Sequence, residues 1–178
     1  MKTRNELKLA GLCVAIAFAV LGCCTDKTSI QSSGCSARLS PTEGNTARGK
    51  VFFTKETEGI RVEGEIIGLK PGKHGFHIYN IGDCSAADDS SSNGHFNPTG
   101  MPHGGPRDGL RHLGDLGNIN ANKLGIARFA FTDNRISLKG VNSIIGHSVV
   151  VHAEADDLKS QPSGNAGARV ACGVIVKQ

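Results

Sequence analysis

Large aromatic side chains are scarce in this sequence. It has no Trp, 1 Tyr and 7 Phe among 178 residues, whereas Gly occurs 24 times. Long side chains pack helix bundles, so this composition instead favours short strands joined by glycine turns. Once a leader is removed, the remaining length suits one domain with a single core. We therefore predict an all-β domain.

Clustered basic charge is also missing. The formal net charge is +4, and the chain has no block of Lys and Arg and no interleaving of basic and aromatic residues. Much of this positive charge lies within residues 1–22, which we predict below to be a removable leader: Lys2, Arg4 and Lys8. The rest of the chain is therefore nearly neutral. We therefore expect no nucleic-acid partner, whereas a small anionic substrate is compatible with this charge.

The N-terminus lacks an apolar run of full membrane-spanning length. The run extends only from Leu9 to Leu21, and a span needs about 20 apolar residues. A small residue then precedes Cys23, as in bacterial lipoprotein signal peptides, where this Cys receives the lipid. We predict a signal peptide over 1–22 and lipidation at Cys23. An ordinary secretory leader and a membrane helix are the alternatives.

Polar residues dominate the stretch after Cys23. Ser, Thr, Gln and Gly are typical of flexible linkers, so we predict a lipid-anchored tether over 23–36 and a folded domain over 37–178. The mature protein is expected to be exported and anchored to a membrane of the cell envelope, with the periplasm as the expected location. The sequence does not indicate on which face of the membrane the lipid-anchored protein lies.

Export places the cysteines in an oxidising compartment. Cys13 lies in the leader and Cys23 would carry lipid, so four cysteines could pair: Cys24, Cys35, Cys84 and Cys172. Cys24 and Cys35 flank the tether, where pairing, a free thiol and modification all stay open.

Short runs of β-branched or alternating residues fill most of the domain, with turn signals between them. We predict strands at 47–54, 60–67, 75–79, 125–131, 135–138, 147–151 and 170–176. This spacing favours a β-sandwich or a flattened barrel. The stretch 80–117 is too long for a plain connection, so something other than the core must order it.

That long stretch holds a set of potential metal ligands. Three imidazoles and one carboxylate make a complete tetrahedral set for structural zinc: His95, His103, His112 and Asp115. The alternative is a scatter of surface histidines, which the crowding of His in this part of the chain disfavours.

A second set of imidazoles surrounds the predicted strand 75–79. Period two places His77 and Tyr79 on one face of the strand and the apolar Phe76 and Ile78 on the other. His152 ends another predicted strand and could converge on the same place. The resulting site suits copper, and His95 could offer one ring nitrogen to each metal. Its imidazoles are His77, His95 and His152.

Several segments resemble those of the copper/zinc superoxide dismutases, in the same order and with similar spacing. They are HGFHIY, GDC, GHFNP, HGGP, RHLGDLGN, VVVHAEADDL and GNAGARVACGVI. The resemblance covers about 47–176. It implies a Greek-key flattened β-barrel or sandwich with long metal-binding and electrostatic loops. It also implies an enzyme that converts superoxide to oxygen and hydrogen peroxide.

The resemblance assigns roles to particular residues. It implies the zinc and copper ligands already named, with His95 as the bridge between the metals. Asp156 would hydrogen-bond both His77 and His103 and so fix their tautomers. The resemblance further implies a Cys84–Cys172 disulfide, an Arg169 that attracts and orients superoxide, and a structural His74. His147 matches no functional position, so we expect a surface residue there.

The sequence departs from the family pattern at two places. The family has His-x-His where this chain has His77-x-Tyr79, and a phenol is a poor copper ligand unless the metal deprotonates it. The segment 159–163 is also shorter than the charged loop of typical eukaryotic members.

Three functional hypotheses follow from these departures: a dismutase with reduced activity, a zinc-stabilised copper-binding or copper-handling module, or a different copper chemistry. The sequence does not reveal the oligomeric state.

Overall fold

Eight antiparallel strands form a sheet that nearly closes into a barrel. The computed structural model describes residues 34–85 and 93–178. The predicted signal peptide, Cys23, Cys24 and most of the tether lie outside the described residues. The strands are β1 (Gly34–Pro41), β2 (Arg48–Glu56), β3 (Gly59–Ile67), β4 (Gly72–Tyr79), β5 (Asp115–Ala121), β6 (Ala127–Asp133), β7 (Ser148–His152) and β8 (Arg169–Lys177).

The strand order across the sheet is β5-β4-β7-β8-β1-β2-β3-β6. The two edge strands, β5 and β6, follow one another in the chain and contact each other, which brings the ends of the sheet together. The all-β, barrel-like prediction is therefore confirmed. Among the described residues, no helix is long and apolar enough to cross a membrane.

The interior of the barrel is filled by alternate residues of each strand. On β4 the inward residues are Phe76 and Ile78, and on β7 they are Val149 and Val151; all four are fully buried. The ring of Phe76 lies 5.1 Å from that of Phe129 on the opposite strand β6, measured between centroids. The predicted apolar face of β4 is confirmed, and its other face is left for polar side chains.

A disulfide joins Cys84, just after β4, to Cys172 on β8, as the resemblance implies. The two cysteines are 88 positions apart, and closing so long a loop in the unfolded chain stabilises the fold by about 4.6 kcal/mol on the chain-entropy model. The disulfide thereby fixes the chain that leaves β4 against the sheet.

Several details of the predicted organisation differ from the structure. β1 begins at Gly34, inside the predicted tether, and the free thiol of Cys35 is buried in the core, where burial raises its pKa to about 11. β5 begins at Asp115, inside the long stretch 80–117, and continues to Ala121, where no strand was predicted. β6 runs two residues beyond its predicted range. Residues 135–138 form no strand, because their chain turns around the Asp133 carboxylate, which accepts the backbone N–H of Arg135 and Ile136.

Candidate metal centre

The predicted metal ligands gather into two buried groups that share one residue. The donor atoms within each group lie within 4.8 Å of one another. The first group is His95, His103, His112 and Asp115, and the second is His77, His95 and His152. His95 belongs to both groups, as expected for a bridging imidazole.

The long loop that carries His95 is hydrogen-bonded to the end of β4. The backbone N–H of Phe96 donates to the carbonyl of Ile78 at 2.8 Å, and Gly114 links the same two residues through its own N–H and carbonyl, each at 2.9 Å. A side chain at Gly114 would collide with the Ile78 carbonyl oxygen. This close contact places both ends of the loop beside His77.

Asp115 is the centre of the first group. Its Oδ1 lies 2.7 Å from Nδ1 of His95 and 3.1 Å from Nδ1 of both His103 and His112. Its Oδ2 accepts the backbone N–H groups of His112 and Gly104. Burial alone would raise the pKa of Asp115, but hydrogen bonds from the three imidazoles hold it far below its usual range. Three nitrogens and one ionised oxygen thus converge in the arrangement that zinc requires.

Arg111, which the sequence analysis did not single out, orders this loop. Its guanidinium is buried and donates to the carbonyls of His112, Leu113 and Asp115 at 2.9, 3.1 and 3.2 Å, and it pairs with the Asp133 carboxylate. The sequence signal that could have identified Arg111 is its position at the start of the motif RHLGDLGN, which contains the predicted ligands His112 and Asp115.

Asp156 connects the two groups through the contacts that the resemblance implies. Its Oδ2 accepts from Nε2 of His77 at 2.8 Å, and its Oδ1 accepts from Nε2 of His103 at 3.0 Å. Both imidazoles therefore carry hydrogen on Nε2, and their Nδ1 atoms point toward the other members of the two candidate groups. Gly164 packs against this carboxylate with φ of +74°, and a Cβ there would overlap Asp156 Oδ1.

Among the described residues, the buried ring nitrogens His77 Nδ1 and His95 Nε2 lack a hydrogen-bond partner. Buried polar atoms are rarely left without a partner, so this pattern fits nitrogens that ligate metal. Burial lowers the pKa of His77 to about 3, which keeps its ring neutral and able to donate a lone pair. Burial would also lower the pKa of His103, but Asp115 and Asp156 raise it to about 9, so a metal must displace a proton there.

Tyr79 lies beside the second group. The side chain is fully buried, and its hydroxyl lies 3.2 Å from Nε2 of His152. Nδ1 of His152 donates to the carbonyl of Gly167 at 2.8 Å, so Nε2 is the acceptor for the phenol. The Arg169 guanidinium lies 4.4 Å from the Tyr79 ring centroid and is itself 1% exposed. The phenol and Arg169 therefore cover the side of the group where His152 stands.

Comparison with known proteins decides the family. The family model of copper/zinc superoxide dismutase matches residues 47–175. The chain belongs to this family. A solved structure, titled "Crystal Structure Analysis of the clock protein EA4", is 44% identical, with a TM-score of 0.72 over 82% of this chain and 94% of that one. Copper/zinc superoxide dismutases typically bind both metals, and the two groups described above have the donors to hold them.

Two further histidines of this copper/zinc superoxide dismutase family member lie outside the metal groups. Each ring nitrogen of His74 lies 2.8 Å from a backbone carbonyl oxygen, one of His152 and one of Lys70, so His74 links β4 to the end of β7. His147, which was expected at the surface, keeps part of its side chain exposed. It is half-buried, with its Nδ1 3.1 Å from the Tyr79 carbonyl and its ring 4.2 Å from that of Phe96.

Proposed function

We propose that this protein is a superoxide dismutase, which converts two superoxide anions and two protons to oxygen and hydrogen peroxide. The observation that carries the proposal is the pair of unsatisfied buried nitrogens, His77 Nδ1 and His95 Nε2, beside His152. These imidazoles suit copper, and His95 also joins the zinc-type group. Family membership supports the same chemistry.

Copper, when bound, supplies the one-electron chemistry that oxidises one superoxide and reduces another. The chain's own residues prepare the site. Asp156 holds His77 in the tautomer that offers Nδ1, and the Gly167 carbonyl does the same for Nε2 of His152. Arg169 supplies a fixed positive charge beside the imidazoles, which favours the approach of a small anion.

We expect the rate to be lower than in a site with four imidazoles. The Tyr79 hydroxyl donates to His152 Nε2, the nitrogen that copper needs, so metal binding must break that hydrogen bond. A neutral phenol is a weaker donor than the imidazole it replaces. Both effects lower the affinity of this group for copper.

A second candidate function is a zinc-stabilised domain that binds or handles copper without useful catalysis. The specific observation that favours it is the burial of Tyr79 and Arg169 at 0% and 1% exposure, which restricts access to His152. In this case zinc would still order the loop, and copper would bind without rapid turnover.

Metal analysis combined with a dismutase assay on the same sample distinguishes the two functions. The protein would be loaded with zinc alone or with zinc and copper, desalted and assayed for superoxide removal. We expect copper retention and dismutation only in the doubly loaded sample. Zinc without copper and no activity would contradict the proposal. Retained copper without activity would favour the binding module.

We also infer that the protein works outside the cytoplasm, anchored to an envelope membrane through lipid on Cys23. The support is the sequence pattern of residues 1–23, and superoxide is then the small anionic substrate that it meets there. The change Cys23→Ala should abolish incorporation of labelled fatty acid and release the protein from membranes. Unchanged labelling would rule out Cys23 as the lipid site.

A further inference from the structure

The short segment 159–163 contacts a metal ligand directly through Gln161. The side-chain amide Nε2 of Gln161 donates to the His103 carbonyl at 2.9 Å, and Oε1 accepts the His103 backbone N–H at 2.8 Å. One amide group thus pairs with both backbone groups of one residue, as a neighbouring strand would. The pairing fixes the backbone position of His103 although Gln161 itself is exposed.

The imidazole of His103 is held from the same part of the chain. Asp156 Oδ1 accepts from Nε2 of His103 at 3.0 Å, on the ring edge away from Asp115. Backbone and side chain of this ligand are therefore both positioned by residues 156–161. Two other members of its group, His112 and Asp115, are positioned from the Arg111 side of the loop.

Gln161 is presented by an ordered turn. Asp157 Oδ1 accepts the backbone N–H groups of Lys159 and Ser160 at 2.9 and 2.8 Å, and Oδ2 accepts the Ser160 hydroxyl. The N–H of Gly164 closes the turn by donating to the Ser160 carbonyl at 2.7 Å. These hydrogen bonds within the turn fix the position from which the amide of Gln161 reaches His103.

We propose that Gln161 is a positioning residue that raises zinc affinity by holding His103 in place. The proposal rests on His103 being a zinc ligand and is independent of dismutation. Outer residues that orient a metal ligand typically change affinity by about 10–100-fold, and Gln161 acts on the backbone of a single ligand. We therefore expect a loss of zinc affinity of about tenfold when its hydrogen bonds are removed.

The test uses the full chain without copper, and zinc affinity is measured by chelator competition. Gln161→Met keeps the length of the side chain but removes both hydrogen bonds, and Gln161→Ala removes the side chain. Both variants should bind zinc about tenfold more weakly than the unchanged protein. The control is Lys159→Ala, in the same turn, which should bind zinc as the unchanged protein does.

Cobalt(II) in the zinc position gives a readout that a purely structural role would not change. We expect the visible absorption spectrum of bound Co²⁺ to shift in Gln161→Met and to stay unchanged in Lys159→Ala, because only the first variant releases His103. Unchanged zinc affinity and an unchanged cobalt spectrum in both Gln161 variants would overturn the proposal. An equal loss of zinc affinity in Lys159→Ala would also overturn it. Since no copper or superoxide is used, failure here is distinct from failure of the dismutase proposal.

Discussion

Replacing Tyr79 with His should destabilise the metal-free protein and strengthen its copper site. The buried phenol makes a hydrogen bond to His152, worth about 1 kcal/mol, and a desolvated cation–π contact with Arg169, worth about 2 kcal/mol. Tyr79→His removes both contacts. The free energy of unfolding, measured by urea titration in the presence of a chelator, should fall by about 3 kcal/mol.

The same change should increase the affinity of the site for copper. Tyr79→His frees Nε2 of His152 and adds an imidazole beside it. Loss of an outer partner alone changes metal affinity by about 10–100-fold, so gain of a direct donor should raise copper affinity by at least about tenfold. Chelator competition measures this gain, and the dismutase rate of the same sample should rise with it.

Tyr79→Phe is the matched control, because it keeps a ring beneath Arg169 and removes only the hydroxyl. Loss of the hydrogen bond to His152 should raise copper affinity by about fivefold, which corresponds to about 1 kcal/mol. Weaker Cu(II) binding in Tyr79→Phe would show instead that the phenol oxygen is a ligand. If Tyr79→His gains neither copper affinity nor rate, the reasoning that this position limits the site is refuted.

Three other measurements test the rest of the site. Asp156→Asn leaves one acceptor oxygen for two imidazoles, so chelator competition should show both metals bound about 10–100-fold more weakly; unchanged affinities would exclude its orienting role. Arg169→Ala should lower the dismutase rate more at low salt than at high salt, because screening weakens attraction of the anion, and equal losses would exclude steering. The free energy of unfolding of the metal-free protein should peak near pH 6.5. His77 has a folded pKa of about 3, so the free energy of unfolding decreases as the pH falls below the pKa of about 6.5 that His has in the unfolded chain. His103 has a folded pKa of about 9, so its stabilising contribution is lost as the pH rises from about 6.5 toward 9. A flat profile between these limits would contradict this assignment.

The sequence predicted the polar face of β4 and both ligand groups because donor chemistry and strand periodicity act locally. His77 and Tyr79 alternate with the core residues Phe76 and Ile78, and this pattern alone determines which side chains face the candidate metal groups. The crowding of His and Asp in a stretch without apolar periodicity indicated a metal-ordered loop. Spacing alone allowed His152 to join the second group, and the family resemblance was needed in addition to assign it there.

Other features depend on contacts that local patterns do not reveal. β1 was missed because three of its four buried residues, Cys35, Ser36 and Ala37, are small, and because its composition continues that of the tether. β5 starts at a metal ligand, Asp115, so its strand character was hidden in the long loop. The pairing of Gln161 with His103 joins residues 58 positions apart, and neither spacing nor composition predicts it.

We expect the two candidate groups to form adjoining metal sites that share His95. Anomalous diffraction at the copper and zinc edges, from crystals of protein loaded with both metals, locates each ion and its ligands. We predict copper bound by His77, His95 and His152, and zinc bound by His95, His103, His112 and Asp115. A single metal position, or copper bound away from His95, would contradict the account.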